Sequence, residues 1–163
     1  MVFVRIKKLK GNEYAYLVAN EWTINGSRQK VKAYLGRVIK PLREKEKITD
    51  VSNLEYRQAI LALAKQELIN HGFSEELTYD IVSVDLAEQK ILNGKRNAVI
   101  SLNEGFLCSQ TLKDALDIQL TGHEEEAGTQ LAKTLLELGL RLPKDTFVQL
   151  FEKVYKGNMN IGA

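Results

Sequence analysis

The sequence is poor in the residues that form disulfides and metal centres. Its 163 residues include one cysteine, Cys108, and two histidines, His71 and His123. A single cysteine excludes an internal disulfide, and these three residues are too far apart along the chain to resemble the clustered Cys/His sets that bind zinc. The chain also lacks a complete phosphate-binding loop. We therefore expect no metal and no cofactor.

Long apolar runs are also missing. No stretch approaches the roughly 20 apolar residues of a membrane helix, and the first residues do not have the pattern of a signal peptide. We expect a protein with no membrane partner and a cytoplasmic location. With 44% apolar residues, the chain is long enough for one ordinary domain or two small ones.

The charge is unevenly distributed along the chain. Residues 1 to 47 contain twelve Lys/Arg and four Glu, a net charge of +8, whereas the remaining residues carry a net charge of −6. This asymmetry favours a basic head that binds a polyanion, attached to an acidic body. The alternative is that the two halves attract each other within the fold.

The pattern of the chain predicts an α+β protein. An N-terminal three-stranded antiparallel meander, interrupted by Gly11 and by Asn25-Gly26, is followed by a helix, a short β-hairpin around Asn93-Gly94 and three C-terminal helices. We place a basic β-sheet module at 1–42, an acidic α+β body at 48–156 and a flexible tail at 157–163.

The turns also predict which side chains share a face. If Asn25-Gly26 forms a two-residue type I′ turn and residues 10–12 form a three-residue loop, Val4 and Ile6 lie on one face with Tyr14, Tyr16 and Trp22. We interpret this face as packed. The opposite face then carries the predicted nucleic-acid-binding residues Arg5, Lys7, Arg28, Lys30, Lys32 and Tyr34, with Arg37 nearby.

Residues 5–38 resemble the amino-terminal basic β-segment of DDE-type insertion-sequence transposases. The matching residues form three groups: Tyr14, Tyr16, Leu17 and Val18; Arg28, Gln29, Lys30 and Val31; and Tyr34, Leu35, Gly36 and Arg37. The resemblance implies a basic module that handles nucleic acid. It does not extend to the acidic catalytic triad of that family, and the remainder of the chain shows no such resemblance.

These observations favour a non-enzymatic protein that binds the phosphate backbone of DNA or RNA through the basic face of its N-terminal sheet. A second hypothesis is an assembly subunit whose basic head docks on an acidic partner, with a further protein contact through the C-terminal helices. A small-molecule enzyme is the third, and it requires acids such as Asp80, Asp85 and Glu104 to meet in a pocket. The sequence assigns no catalytic residue and leaves the oligomeric state open.

Overall fold

The structure, a computed structural model, describes residues 2–161, with side chains described as far as residue 156. Three long strands come first: β1 (Val2–Leu9), β2 (Asn12–Thr23) and β3 (Gly26–Ile39). After α1 (Tyr56–Asn70) come five short strands: β4 (Thr78–Tyr79), β5 (Val82–Asp85), β6 (Lys90–Asn93), β7 (Arg96–Leu102) and β8 (Gly105–Leu107). Three helices follow: α2 (Ser109–Leu116), α3 (Glu124–Leu138) and α4 (Lys144–Ile161).

All eight strands belong to one mixed sheet. Its order is β1-β2-β3-β7-β6-β5-β4, and β8 pairs with the free part of β7. The neighbours are antiparallel except for β3 and β7, which are parallel over Arg37–Ile39 and Ala98–Ile100. The sheet thus runs from the predicted basic module into the predicted body, and the strand pair β3–β7 joins the two.

Strand β7 separates two apolar cores. Ala98, Ile100 and Leu102 face the larger core, which contains residues from all four helices. Val99, which points the other way as alternation along a strand requires, faces a smaller core with Ala15, Val38 and Cys108. The N-terminal strands are therefore attached to the body by packing as well as by hydrogen bonds.

A buried polar cluster fixes the connector between β3 and α1. The Arg43 guanidinium donates to the Glu67 carboxylate and, at 3.0 Å, to Asn103 Oδ1. Asn103 also donates to Glu67 at 2.8 Å and to the Gly139 carbonyl at 2.8 Å. Because Glu67 is buried, its charge requires these partners. Arg43 therefore has a structural role, although it is one of the twelve Lys/Arg residues counted in the basic segment 1–47.

The predicted α+β class, meander, first helix and three C-terminal helices are confirmed. Between the first helix and the C-terminal helices we predicted one short hairpin, and the structure has five strands there. Strands β4 and β5 extend that part of the sheet, and β8 adds a strand beside β7. Helix α4 continues to Ile161, through five residues of the predicted tail. Residues 162 and 163 lie outside the described part of the chain.

Candidate nucleic-acid interface

The first turn places the β1 cations on a different face from the one we predicted. The loop is Lys10-Gly11, and both residues have positive φ, 52° and 82°, as a two-residue type I′ hairpin requires. Arg5 consequently lies opposite Tyr16, and Lys7 lies opposite Tyr14. The prediction that Val4 and Ile6 share the face of the tyrosines is wrong. They lie on the other face, against the smaller core.

The second turn also differs from the predicted one. Of residues 24–26, Gly26 alone has positive φ, 105°, and Thr23 pairs with Gly26. The loop residues are therefore Ile24 and Asn25, one position earlier than predicted, with Gly26 in the conformation that ends many type I hairpin loops. Trp22 lies opposite Ser27 instead of Gln29.

Two irregularities in β3 then change the face on which its side chains lie. The register between β2 and β3 shifts between Leu17 and Val18 and again between Ala15 and Tyr16. Each shift inserts one extra β3 residue, which reverses alternation in that strand alone. Tyr34 therefore lies opposite Tyr16, whereas a regular ladder from Asn25-Gly26 would place Leu35 there. Local propensity carries no signal for two such bulges.

The result is a tyrosine side of the N-terminal strands, formed by Arg5, Lys7, Tyr14, Tyr16, Tyr34 and Arg37. The Tyr34 ring lies 5.2 Å from that of Tyr16 and 6.4 Å from that of Tyr14, between ring centroids. Lys7 Nζ lies 5.0 Å from the centre of the Tyr16 ring, within cation–π distance. Tyr34 is 54% exposed, so a face of this cluster is open to a ligand.

A cleft of about 670 Å³ opens between the tyrosine side and the turn that connects β6 to β7. Among the described residues its walls carry three cations, two tyrosine rings and two side-chain amides: Arg37, Lys95, Arg96, Tyr14, Tyr34, Asn93 and Asn97. Acidic side chains are thus absent from the described lining. Such a site attracts anions, and its rings offer surfaces for stacking.

Two details describe the electrostatics of the cleft. Burial against its neighbours raises the pKa of Tyr34, and the nearby phenols of Tyr16 and Tyr14 add to this effect, whereas Arg96 lowers it. Tyr34 is therefore a neutral hydrogen-bond donor at neutral pH. Asn93 lines the cleft, and its Oδ1 is buried without a hydrogen-bond partner among the described residues, so the hydrogen-bonding capacity of this oxygen is unused.

The predicted site residues divide between two sides of the sheet. Arg5, Lys7, Tyr34 and Arg37 are brought together on the tyrosine side. Arg28, Lys30 and Lys32 lie on the reverse, which we call the lysine side, with Glu21: its Oε1 is 3.8 Å from Lys30 Nζ and 3.6 Å from Lys32 Nζ. The predicted grouping of all five strand cations on one face is therefore wrong.

Beyond Ala19, the β2–β3 hairpin forms an arm, residues 20–33. Strand β1 begins at Val2, opposite Ala19, so within residues 2–161 the two arm strands pair with each other alone. Every residue of the arm is exposed. Trp22 is 87% exposed and Ile24 fully so, which overturns the prediction that Trp22 packs. The arm is exposed because no third strand or helix from the described part of the chain covers it.

Sequence reasoning missed part of this site. The sequence pattern predicts that Tyr14 and Tyr16 pack in a core, and it predicts a hairpin around Asn93-Gly94 without linking that turn to the N-terminal strands. The Lys95-Arg96 pair is visible in the sequence. Its position beside Arg37 depends on the parallel pairing of β3 with β7, a contact between distant segments that local patterns do not predict.

Other candidate chemistry is weaker in the structure. Within residues 2–161, no three His, Cys, Asp or Glu residues come close enough to hold a metal ion. Asp85 Oδ1 accepts the amide of Glu88 at 3.1 Å, as part of a tight turn. His123 is the residue that precedes α3, and Cys108 is buried. Asp85, His123 and Cys108 thus lie in a turn, at the start of a helix and in a buried position.

Among the described helices, none is both long enough and apolar enough to cross a membrane. Comparison of the chain with protein families, curated proteins and solved structures gave no match. The resemblance of residues 5–38 to the transposase segment is thus untested and stays a prediction. The geometry of the tyrosine side and the cleft is the basis for a functional proposal.

Proposed function

We propose that this chain is a non-enzymatic nucleic-acid-binding protein that holds single-stranded DNA or RNA on its tyrosine side and in the adjoining cleft. One observation carries the proposal: the Tyr34 ring has the rings of Tyr14 and Tyr16 within 6.4 Å between centroids. Five cations border this cluster of three rings: Arg5, Lys7, Arg37, Lys95 and Arg96. Proteins that bind single strands without sequence preference combine stacking rings with a basic groove in this way.

The two kinds of side chain have separate roles in this proposal. Arginine and lysine neutralise phosphates and release counterions, which supplies affinity without base preference. The exposed ring of Tyr34 stacks on a base. Duplex nucleic acid presents phosphates but keeps its bases stacked, so it uses the cations and not the rings. Single strands are therefore the preferred ligand.

Fluorescence anisotropy of labelled 12-nucleotide DNA and RNA tests the proposal. Five phosphate contacts predict a loss of affinity of about 100-fold between 50 and 200 mM salt for a single strand. Tyr34→Ala is expected to weaken single-strand binding about tenfold, and Tyr34→Phe to restore it. Lys113→Ala, on the exposed part of α2, is the control for the loss of a cation.

A matched pair of double variants identifies the binding side. Arg37→Gln with Arg96→Gln removes two cations from the cleft, whereas Lys30→Gln with Lys32→Gln removes two from the lysine side. The first pair should reduce the salt slope by about 1.4, and the second, which acts only through long-range attraction, should reduce it by less. Absence of binding at 50 mM salt contradicts the proposal, as does a larger loss from the lysine pair.

A second candidate function is protein binding through the C-terminal helices. A groove of about 520 Å³ lies between α3 and α4, and Gly128, Phe147, Val148 and Phe151 contribute apolar surface to it. The Phe151 and Tyr155 rings stack along it at 4.9 Å, and Val148 is 44% exposed. Purification from the native host with nuclease treatment separates the two functions, since a protein partner bound at this groove stays associated when nucleic acid is digested.

A further inference from the structure

The tyrosine side does not end at the tyrosine cluster. Arg5 donates a hydrogen bond to Gln29 Oε1 of the arm, and Gln29 lies opposite Asn20 in the β2–β3 ladder. Trp22 is two residues beyond Asn20 on the same strand and therefore shares its side. A line of side chains on one side of β2 thus leads from Tyr16, past the Arg5–Gln29 contact, to Trp22.

Trp22 has no structural role that explains its place. Its side chain is 87% exposed, and its cross-strand partner is Ser27. A large aromatic ring at the end of a two-stranded arm cannot stabilise a core, and tryptophan is among the residues enriched at binding hot spots. On its reverse, the lysine side, the arm carries Arg28, Lys30 and Lys32 against Glu21. The arm therefore has a net charge of +2, and its long-range field attracts an anionic ligand.

We propose that Trp22 is a second stacking contact for the same single strand, so that the arm lengthens the binding site. This inference rests on the proposed function. Trp22 lies six residue steps beyond Tyr16 along the extended strand, a distance of about 20 Å at roughly 3.3 Å per step. A stacked strand advances about 3.4 Å per nucleotide, so roughly six nucleotides connect the tyrosine cluster with Trp22. The full site then falls within the range of about 4 to 16 nucleotides known for single-strand binders.

Trp22 is the only tryptophan of the chain, so its intrinsic fluorescence reports on the arm alone. The protein is titrated with thymidine oligomers of 4 and 12 nucleotides, which have little structure of their own. The 12-mer should quench Trp22 emission and protect the ring from acrylamide. The tetramer should bind in the cleft, measured by anisotropy, and leave Trp22 emission unchanged.

Variants of the arm test whether the Trp22 ring contributes to affinity. Trp22→Ala should weaken 12-mer binding about tenfold and leave tetramer binding unchanged, and Trp22→Phe should recover most of the loss. Ile24→Ala is the matched control, because Ile24 is an equally exposed apolar residue of the same arm without a ring. A similar loss from Ile24→Ala would show that the arm makes a general apolar contact and would overturn the stacking role.

The outcomes separate this inference from the proposed function. If the 12-mer binds but Trp22 emission and acrylamide quenching do not change, the inference fails and the proposed function stands. If neither oligomer binds at 50 mM salt, the proposed function fails and the inference fails with it. If Trp22 becomes protected as the protein concentration rises without nucleic acid, and sedimentation shows a dimer, the arm binds a second copy of this chain and the inference is overturned.

Discussion

Strands rich in apolar and aromatic residues are buried in one part of the sheet and exposed to solvent in another. Strands β5 to β8 are short, and most of their apolar side chains are buried in a core that also contains residues from all four helices. Strands β2 and β3 are long, and from Asn20 to Tyr34 every residue is exposed, including a tryptophan and a valine. Aromatic and β-branched residues therefore indicate a strand, but the layer that packs on the strand decides whether they form a core or a binding surface.

Truncation of one apolar side chain in each region gives the largest contrast. Leu131 of α3 is fully buried, whereas Val31 of the arm is 48% exposed. Leu131→Ala should lower the free energy of unfolding by about 4 kcal/mol, because it removes buried contacts and leaves a cavity. Val31→Ala should change it by less than about 0.5 kcal/mol. Urea denaturation measures both, and a comparable loss from Val31→Ala would show that the arm is packed.

The junction between the two regions depends on a close backbone approach at Gly36. Its φ is 140°, and a Cβ there would lie 2.5 Å from the Asn97 carbonyl oxygen. Gly36→Ala should lower the free energy of unfolding by about 2 kcal/mol, because it strains the backbone and displaces β7. It should also reduce hydrogen-exchange protection of Val99 and Ile100, which lie in the segment of β7 that pairs with β3.

Gly26→Ala is the control for the strain alone. Gly26 also has positive φ, 105°, but no atom lies within 4 Å of its added Cβ. We expect this change to lower the free energy of unfolding by about 1 kcal/mol and to leave the hydrogen-exchange protection of β7 unchanged. Equal costs at the two glycines would mean that the close approach to Asn97 does not constrain the junction.

The class of the fold and most of its elements follow from the sequence, because helical periodicity and strand alternation are local. The faces of the N-terminal strands do not. The turn residues at 10–11 and 24–26 fix β1 and the arm, but the two bulges in β3 depend on how that strand fits between β2 and β7. The same limit applies to the candidate site. The sequence shows its cations and rings, but it does not show how they divide between the tyrosine side and the lysine side.

The tyrosines sharpen the comparison between a buried and an exposed ring. Burial raises the pKa of Tyr56 in α1 far above its ordinary value of 10, and its hydroxyl donates to the Ala115 carbonyl at 2.6 Å. Tyr56→Phe should cost about 1 kcal/mol at neutral pH through loss of that hydrogen bond.

The sign of the pH dependence follows from the raised pKa. The stability that neutral Tyr56 contributes is complete below pH 10 and decreases above it, because the unfolded phenol ionises while the folded one does not. The advantage of the wild-type protein over Tyr56→Phe should therefore narrow as pH rises above 10 and then reverse. Urea midpoints of both proteins between pH 8 and 11 measure this, and parallel curves would mean that Tyr56 titrates as freely as in the unfolded chain.

The smallest expected effect on stability lies on the arm itself. Glu21 is within 4 Å of Lys30 and Lys32, whose side chains are 61% and 43% exposed. Exposed ion pairs contribute little, so Glu21→Gln should change the unfolding free energy by less than about 0.5 kcal/mol. It should nevertheless raise affinity for a 12-nucleotide single strand about twofold at 50 mM salt, because it removes the acid from the arm, and this gain should fade by 200 mM salt as screening increases.

Glu137→Gln, which breaks the exposed pair with Lys133 on α3, removes the same charge from the helical region and should leave affinity unchanged. Equal gains from both variants would mean that net charge alone governs binding, whereas a gain confined to Glu21→Gln places the nucleic acid within a Debye length of the arm.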